Sequence, residues 1–353
     1  MPEIRFDILA GNFAVIATER AKRPSDFKAA QSPGHEVRER DPSCPFCPGN
    51  EKLTPPELFS LREGSGRDEP GWRVRVVPNK FPALVDPEDL PEDERRELPS
   101  LPEQVPEGLA TAVYWTAPGV GTHEVVIEST AHDATMGTYQ PRRLCEVLEV
   151  IRERVMHMYG KPHVKYVQVF KNQGQAAGAS LSHPHFQIIG LPVLPGLMAV
   201  EGMRQKAYEA DTGRCLVCDL VERELEKSVR VVVETKEVVA LCPFASRYSY
   251  ETLVVPRNHA PSLMGVGEEG LQALAEVLVD LFSRYEALFP NLPYNLVFHD
   301  MPPAAMAGRK WPYHTHLHIY PRLNREAGLE LATGVFINPS PPETCAEQLR
   351  AAK

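Results

Sequence analysis

Apolar residues recur every three or four positions in two separate stretches of the chain. The first stretch begins at Pro141, and its apolar positions are Leu144, Val147, Leu148, Ile151, Val155 and Met158. The second runs from about Glu268 to Leu288, and its apolar positions are Leu271, Leu274, Leu278, Leu281, Phe282 and Tyr285. One helical turn contains about 3.6 residues, so each pattern places its apolar side chains on one helix face. The two stretches therefore predict two long amphipathic helices.

Shorter segments around each helix predict β-strands in the same order. One strand precedes the helix, a second follows it, and a loop leads to a third strand that carries histidines. These strands cover residues 124–128, 166–170 and 182–189 in the first half, and 252–255, 295–298 and 314–321 in the second. Such a repeat indicates two copies of one α+β unit that share a mostly antiparallel sheet with flanking helices. We place the two halves at residues 1–195 and 196–353.

The composition limits the classes of function. The chain has 353 residues and a formal net charge of −9, whereas nucleic-acid-binding proteins usually carry a basic face, so we expect no nucleic-acid partner. The N-terminal residues lack a signal-peptide layout, and no apolar run is long enough to cross a bilayer. We therefore expect a cytoplasmic protein without a membrane partner. Residues 86–107, rich in Pro, Glu and Asp, predict an exposed insertion or a partly disordered loop.

The third strand of the first half carries the first candidate chemistry. Alternation along a strand places His183, His185 and Gln187 on one face, while Phe186 and Ile188 point into a core. Upstream lies a loop of small residues, 172–180, which allows backbone N–H groups to approach a phosphate closely. Imidazoles beside such a loop favour phosphorus chemistry with histidine as the nucleophile. A metal site, or a histidine hydrogen-bonded within the core, is the alternative.

Two C-x-x-C pairs form the second chemical motif, and this spacing is typical of zinc ligands or of a redox dithiol. The pair in the first half is flanked by prolines and resembles a turn, which favours metal. With the repeated histidines, the halves supply the sets Cys44, Cys47, His132, His183 and Cys215, Cys218, His259, His314. Two cysteines and two histidines make a closed tetrahedral zinc site with a structural role. We therefore predict two zinc ions per chain, and spare thiols at Cys145, Cys242 and Cys345.

If zinc holds His183, then His185 is the histidine left free on that face. Two residues along a strand span about 6–7 Å, so the metal would anchor the strand without contacting the reactive ring. Gln187 can donate a hydrogen bond to a phosphate oxygen without adding a titrating charge. The equivalent His316 follows a loop with two prolines, which donate no N–H groups. We therefore assign the nucleophile to the first half and a supporting role to the second.

Three motifs resemble the galactose-1-phosphate uridylyltransferase family, a branch of the histidine-triad superfamily. They are the HPHFQ sequence at 183–187, the CPFC turn at 44–47 and the RAKRP run at 20–24. The resemblance implies two histidine-triad-type units in a half-barrel sheet, and a homodimer. It also implies ping-pong nucleotidyl transfer: His185 attacks the α-phosphorus of a nucleotide sugar, releases hexose 1-phosphate and passes the nucleotide to a second acceptor.

The resemblance also implies a set of binding residues. Family contacts to the nucleotide and phosphates correspond to Arg20, Arg23, Asn79, Asn172, Gly178, Ser180 and Gln187. Some bacterial relatives hold a metal in the second half through one glutamate and three histidines. Glu201, His299, His316 and His318 match that pattern, so iron or zinc at this alternative second site is an open possibility beside the Cys215 set.

The substrate is less defined than the reaction. Residues 334–338 lack the carboxylate by which the uridylyltransferases hold the hexose, and FKNQG at 170–174 and GVFINP at 334–339 resemble the ADP-glucose phosphorylase subgroup. The default reaction exchanges UMP, or AMP, between a nucleotide sugar and a hexose 1-phosphate. One alternative uses inorganic phosphate as the acceptor of an ADP-glucose phosphorylase. A dinucleotide hydrolase and a non-catalytic zinc-stabilised nucleotide-binding module are the remaining alternatives.

Overall fold

The computed structural model describes residues 3–11, 13–16, 39–97, 119–302 and 312–352. Arg20 and Arg23, which the resemblance assigns to substrate binding, lie outside these residues. Residues 98–107 of the insertion predicted at 86–107 also lie outside the described ranges. The described part of that insertion contains the short helix α1 (Glu92–Glu97). None of the helices in the described ranges is long and apolar enough to span a membrane.

A ten-stranded sheet contains both halves of the chain. Its first-half strands are β3 (Phe59–Arg62), β4 (Trp72–Pro78), β5 (Thr122–Ile127), β6 (Tyr166–Gln173) and β7 (His185–Leu191). Its second-half strands are β8 (Val231–Glu234), β9 (Val238–Leu241), β10 (Thr252–Pro256), β11 (Tyr294–His299) and β12 (His316–Pro321). Every pairing between these described strands is antiparallel. The predicted α+β class with an antiparallel sheet is confirmed.

The strand order shows the duplication directly. The order across the sheet is β3-β4-β5-β7-β6-β11-β12-β10-β9-β8, so the second half repeats the first in reverse. The halves meet where β6 pairs with β11, with Asn172 opposite Asn295. Each histidine-bearing strand, β7 or β12, therefore lies one strand away from this junction.

The two predicted amphipathic helices cover one face of the sheet. They are α2 (Pro141–Tyr159) and α5 (Glu268–Leu288), which pack against each other. Their predicted apolar positions are all buried, in a core that also contains Phe186 and Ile188 of β7. Pro141 occupies the first turn of α2, where its missing N–H group costs no hydrogen bond. Burial of this face leaves the opposite face of β7 for His185 and Gln187.

The remaining elements lie around the sheet. Strands β1 (Glu3–Phe6), β2 (Phe13–Ile16) and β13 (Phe336–Asn338) form a separate three-stranded sheet. Helices α3 (Gly196–Thr212) and α4 (Leu216–Lys227) follow the first half, and α6 (Gly328–Thr333) and α7 (Pro342–Ala351) lie near the C-terminus. The alternation pattern identified neither β3 nor these four helices.

Predicted boundaries near the histidines were wrong in both halves. The strand predicted at 314–321 begins at His316. The strand predicted at 182–189 begins at His185, so His183 precedes the strand; Pro184 has no N–H group to donate to a strand partner, which delays the pairing. The loop predicted at 172–180 begins later, because Asn172 and Gln173 still pair with β11 as part of β6.

Candidate active site and metal centres

Cys44, Cys47, His132 and His183 converge although they lie far apart in sequence. One ligand atom of each lies within 4.8 Å of the others. The Cys44 and Cys47 sulfurs are 3.8 and 3.6 Å from His183 Nδ1, and Cys47 Sγ is 3.5 Å from His132 Nδ1. Bonds of about 2.3 Å to sulfur and about 2.0–2.1 Å to nitrogen place the two atoms about 3.6 Å apart across a tetrahedral angle. The spacing therefore fits a tetrahedral zinc ion.

Neighbouring groups orient both histidines of this cluster. His183 Nε2 lies 2.8 Å from the Ser129 carbonyl, and His132 Nε2 lies 2.9 Å from the Ser182 hydroxyl. A proton on His183 Nε2 leaves a lone pair on Nδ1, the atom that faces the sulfurs. Burial raises the pKa of the Cys44 thiol to about 11, a cost that a bound cation offsets by binding the thiolate.

His185 differs from His183 in what its ring contacts. Its Nδ1 donates to the His183 carbonyl at 2.8 Å, which leaves the lone pair on Nε2. Burial, assisted by the charge of Lys171, lowers the pKa of the His185 imidazole to about 4. The ring is therefore neutral at neutral pH, and neutral imidazole nitrogen is the nucleophilic form.

The small-residue loop lies against the β6–β11 junction. The backbone of Gly178 has a φ of +83°, and no atom lies within 4 Å of the position a Cβ would take there. Asn295 Nδ2 donates to the Ala177 carbonyl at 2.8 Å and to Asn172 Oδ1 at 2.7 Å. Asn295, a second-half residue that sequence reasoning missed, therefore holds the first-half loop. Only the pairing register of β6 with β11 reveals this role.

Gln187 and Asn79 meet at a side chain that sequence reasoning also missed. His123 Nε2 lies 2.9 Å from Gln187 Oε1 and 3.0 Å from Asn79 Nδ2. His123 begins the alternating segment before α2, yet nothing in that pattern marks it as part of a site. Only the pairing of β4, β5 and β7 brings the three side chains together.

The second Cys/His set also converges. Cys215, Cys218, His259 and His314 place ligand atoms within 4.8 Å of one another. His314 Nδ1 lies 3.7 and 3.3 Å from the two sulfurs, and Cys218 Sγ is 3.9 Å from His259 Nδ1. Hydrogen bonding with Cys218 lowers the pKa of the Cys215 thiol. This cluster also fits zinc, but it is more open, because His259 is exposed and both cysteines are partly exposed.

The glutamate and three histidines form a third cluster. His299, His316 and His318 lie together and are buried, and Glu201 Oε2 is 3.0 Å from His299 Nδ1 and 3.8 Å from His316 Nε2. Burial alone would raise the pKa of the Glu201 carboxyl, but the His299 ring holds it well below its usual range. His316 Nε2 is buried without a hydrogen-bond partner among the described residues. A cation bound here would satisfy that atom, and the donor set suits zinc or iron.

The predicted site residues are thus placed as follows. The structure assembles all three predicted metal-ligating sets, and it brings Asn79 and Gln187 together through His123. Asn172 and Gly178 belong to one small-residue segment with Ser180, which is exposed. The second half therefore holds two separate clusters, so the alternative second site does not compete with the Cys215 set for ligands.

A sheet built from two α+β units, whose strand β7 carries a buried neutral histidine shortly after the small-residue loop, has the layout expected of nucleotide-transferring enzymes with a duplicated fold. The family model for the N-terminal domain of galactose-1-phosphate uridyl transferase matches residues 1–195, and the model for the C-terminal domain matches residues 201–337. The chain belongs to the galactose-1-phosphate uridylyltransferase family, and the resemblance inferred from its motifs is confirmed.

Two curated relatives show how the chain compares within this family. ADP-glucose phosphorylase of Arabidopsis thaliana is 31% identical over 99% of this chain and 92% of its own length. Galactose-1-phosphate uridylyltransferase of Haemophilus influenzae is 30% identical over 92% of this chain and 85% of its own length. A crystal structure of an ADP-glucose phosphorylase from Arabidopsis thaliana with bound ADP-glucose superposes with a TM-score of 0.80 at 30% identity, covering 100% of this chain and 99% of that one.

Proposed function

We propose that this protein transfers a nucleotidyl group from a nucleotide sugar to a phosphorylated acceptor through a covalent nucleotidyl-histidine. The observation that carries the proposal is the state of His185. Its Nδ1 proton is bound to the His183 carbonyl, its pKa is lowered by burial to about 4, and its Nε2 is not part of any metal-ligand set found among the described residues. Family membership supports the same reaction class.

The first step forms a bond from His185 Nε2 to the α-phosphorus of the nucleotide sugar. The bond from phosphorus to the bridging oxygen breaks, and hexose 1-phosphate leaves with the electron pair. No proton has to move, because Nε2 is unprotonated and the leaving phosphate is stable as an anion. In the second step an acceptor phosphate oxygen attacks the same phosphorus, and the phosphorus–nitrogen bond breaks.

The surrounding residues would bind and orient the phosphates. Gln187 and Asn79 supply amide donors, and the loop at Asn172, Gly178 and Ser180 supplies backbone and side-chain donors with room for an anion. The structure adds Asn295 as the residue that holds this loop. Arg20 and Arg23 remain predicted phosphate contacts outside the described residues.

The proposed metal content is two zinc ions at the two Cys/His sets and a further zinc or iron ion at Glu201, His299, His316 and His318. Sulfur–nitrogen distances of 3.3–3.9 Å support the first two. The buried His316 Nε2 supports the third. Bound there, the ions would fix loops and strand ends near the site, and the proposed transfer needs no step at a metal.

The default substrate pair is UDP-glucose with galactose 1-phosphate, which places the enzyme in galactose metabolism. A second candidate is ADP-glucose with inorganic phosphate. It is supported by the identity of 31% to an ADP-glucose phosphorylase over 99% of the chain and by the absence of a carboxylate at residues 334–338. The homodimer, the cytoplasmic location and the division at residues 195/196 stay predictions.

Intact-mass spectrometry tests the proposal directly. The metal-loaded protein is mixed separately with UDP-glucose and ADP-glucose, and the adduct is then challenged with hexose 1-phosphate, phosphate or buffer. We expect a UMP or AMP adduct that the correct acceptor removes, and no adduct in His185→Asn. No adduct with either nucleotide sugar, or an unchanged adduct in His185→Asn, would refute the mechanism. Rapid loss of the adduct in buffer alone would instead indicate a hydrolase.

A further inference from the structure

The His123 ring lies between the amide side chains of Gln187 and Asn79, two residues that the family resemblance assigns to phosphate binding. Its Nδ1 is 3.1 Å from the Ala83 backbone nitrogen, and its Nε2 is 2.9 Å from Gln187 Oε1 and 3.0 Å from Asn79 Nδ2. The ring is half-buried and does not belong to any of the metal-ligand sets. The contact with Gln187 determines which way that amide points.

The Ala83 contact fixes the tautomer of the ring. A backbone N–H group can only donate, so His123 Nδ1 must carry a lone pair. Burial lowers the pKa of His123, so the ring is neutral at neutral pH and its proton is on Nε2. That N–H group donates to Gln187 Oε1.

The Gln187 amide nitrogen is consequently left for a ligand. The Gln187 oxygen is bound by His123, which directs the opposite NH₂ group away from the ring. Asn79 Oδ1 accepts from the Phe81 N–H group at 2.9 Å, so the Asn79 amide is oriented by that backbone group and not by the protonated Nε2 of His123. His123 therefore orients Gln187 alone.

In the second half of the chain, the positions equivalent to His123 and Gln187 are also in contact. Gln187 lies opposite Val125 across β5 and β7, and His318 lies opposite Leu253 across β10 and β12. Two residues before each of these partners come His123 and Glu251, diagonal neighbours within reach of a long side chain. The Glu251 carboxylate lies 3.3 Å from His318 Nδ1. In both halves, therefore, the residue at this position, His123 or Glu251, contacts the last polar residue of the histidine motif, Gln187 or His318.

We propose that His123 is a positioning residue that fixes the amide of Gln187 with its NH₂ group turned toward the α-phosphate. The inference rests on the proposed nucleotidyl transfer. Without the His123 donor, the Gln187 amide can rotate by half a turn and present its oxygen, which a phosphate oxygen repels. The expected consequence is slower formation of the nucleotidyl-histidine in a correctly folded protein.

Two matched substitutions separate the contacts of the ring. His123→Asn keeps an acceptor near the position of Nδ1 for Ala83 and loses the donor to Gln187. His123→Gln keeps a donor near the position of Nε2 and loses the Ala83 acceptor. In rapid-quench assays with UDP-glucose and ADP-glucose, we expect His123→Asn to slow nucleotidylation by about ten- to a hundredfold and His123→Gln to retain most of the rate. Thermal midpoint and zinc content should match wild type.

A double-mutant cycle with Gln187→Ala tests whether His123 acts through Gln187. Adding His123→Asn to Gln187→Ala should change the rate by no more than about threefold, because the contact is already gone. Losses that multiply, or equal losses in the Asn and Gln variants, would overturn the inference. Wild-type protein that forms no adduct would refute the proposed function itself, whereas a working wild type with a multiplicative cycle refutes only the role of His123.

Discussion

Lys171 forms a buried ion pair with Glu128 beneath the histidine strand. The two side chains are 1% and 0% exposed. The Tyr139 hydroxyl also donates to Glu128 Oε2 at 3.3 Å, and Lys171 Nζ lies 5.4 Å from the centre of the Phe186 ring. Phe186 points away from the face that carries His185, so the pair supports the strand from the helix side.

Lys171→Met should destabilise the protein by about 3–5 kcal/mol, because it leaves the Glu128 carboxylate buried without its cation. Glu128→Gln should cost a similar amount by leaving the Lys171 ammonium unpaired. The double variant removes both charges and retains an amide oxygen that can accept from Tyr139. It should therefore recover most of the loss, since replacing a whole buried pair by neutral groups is often close to neutral.

Urea unfolding at fixed zinc concentration, followed by tryptophan fluorescence to which the buried Trp72 contributes, measures these differences. The reasoning about the buried charge would be wrong if Lys171→Met unfolded within about 1 kcal/mol of wild type. It would also be wrong if the double variant lost the sum of the two single losses. Nucleotidylation by folded Lys171→Met should persist, because the ammonium lies on the opposite side of β7 from the reactive ring.

Four further predictions concern the site. His185→Asn should lose all transfer with its zinc content intact in elemental analysis, and added imidazole should partly restore activity to His185→Gly. Cys44→Ser should lose one zinc ion and melt at lower temperature, whereas Cys145→Ser, at a buried thiol outside the clusters, should keep all its zinc. Folding lowers the pKa of His185 from 6.5 to about 4. The neutral ring therefore contributes about 3 kcal/mol to the free energy of unfolding above pH 6.5, and this contribution is lost as the pH falls to 4. Urea unfolding should show that His185→Asn loses less stability in acid than the wild type. Without a carboxylate at Phe336, a matrix of nucleotide sugars and acceptors should show relaxed hexose selectivity, and strict preference for galactose 1-phosphate over glucose 1-phosphate would contradict this.

The structure places Phe336 in a packed environment. Its ring lies 5.6 Å from the ring of Tyr248 and 6.0 Å from the Arg247 guanidinium, in a strand that pairs with β2. Residues 334–338 therefore contribute to packing between the small sheet and the second half. The prediction of relaxed hexose selectivity depends on the absence of a carboxylate at residues 334–338. The matrix of nucleotide sugars and acceptors tests it directly.

Local patterns in the sequence determined the elements and the ligand types. The apolar spacing in α2 and α5 identified both helices, because a buried helix face requires that spacing. The paired C-x-x-C motifs and repeated histidines identified both Cys/His sets, because few other arrangements use thiolates and imidazoles at matching positions. Proline and strand pairing moved the boundaries near His183 and Asn172, since both depend on which backbone groups find partners.

Contacts between distant strands were decided by the tertiary structure. His123, Asn295 and Lys171 carry no local pattern that separates them from ordinary strand residues, and their roles arise from the register of β5 with β7, of β6 with β11 and from burial beneath Phe186. The coexistence of two candidate metal-ligand sets in the second half was likewise open in the sequence. The physical reason is that hydrogen-bond partners and the loss of solvent around a charge are properties of residues brought together by folding. The sequence by itself determines which groups can bind metal or attack phosphorus, and the folded sheet determines which of them are neutral, oriented and free to do so.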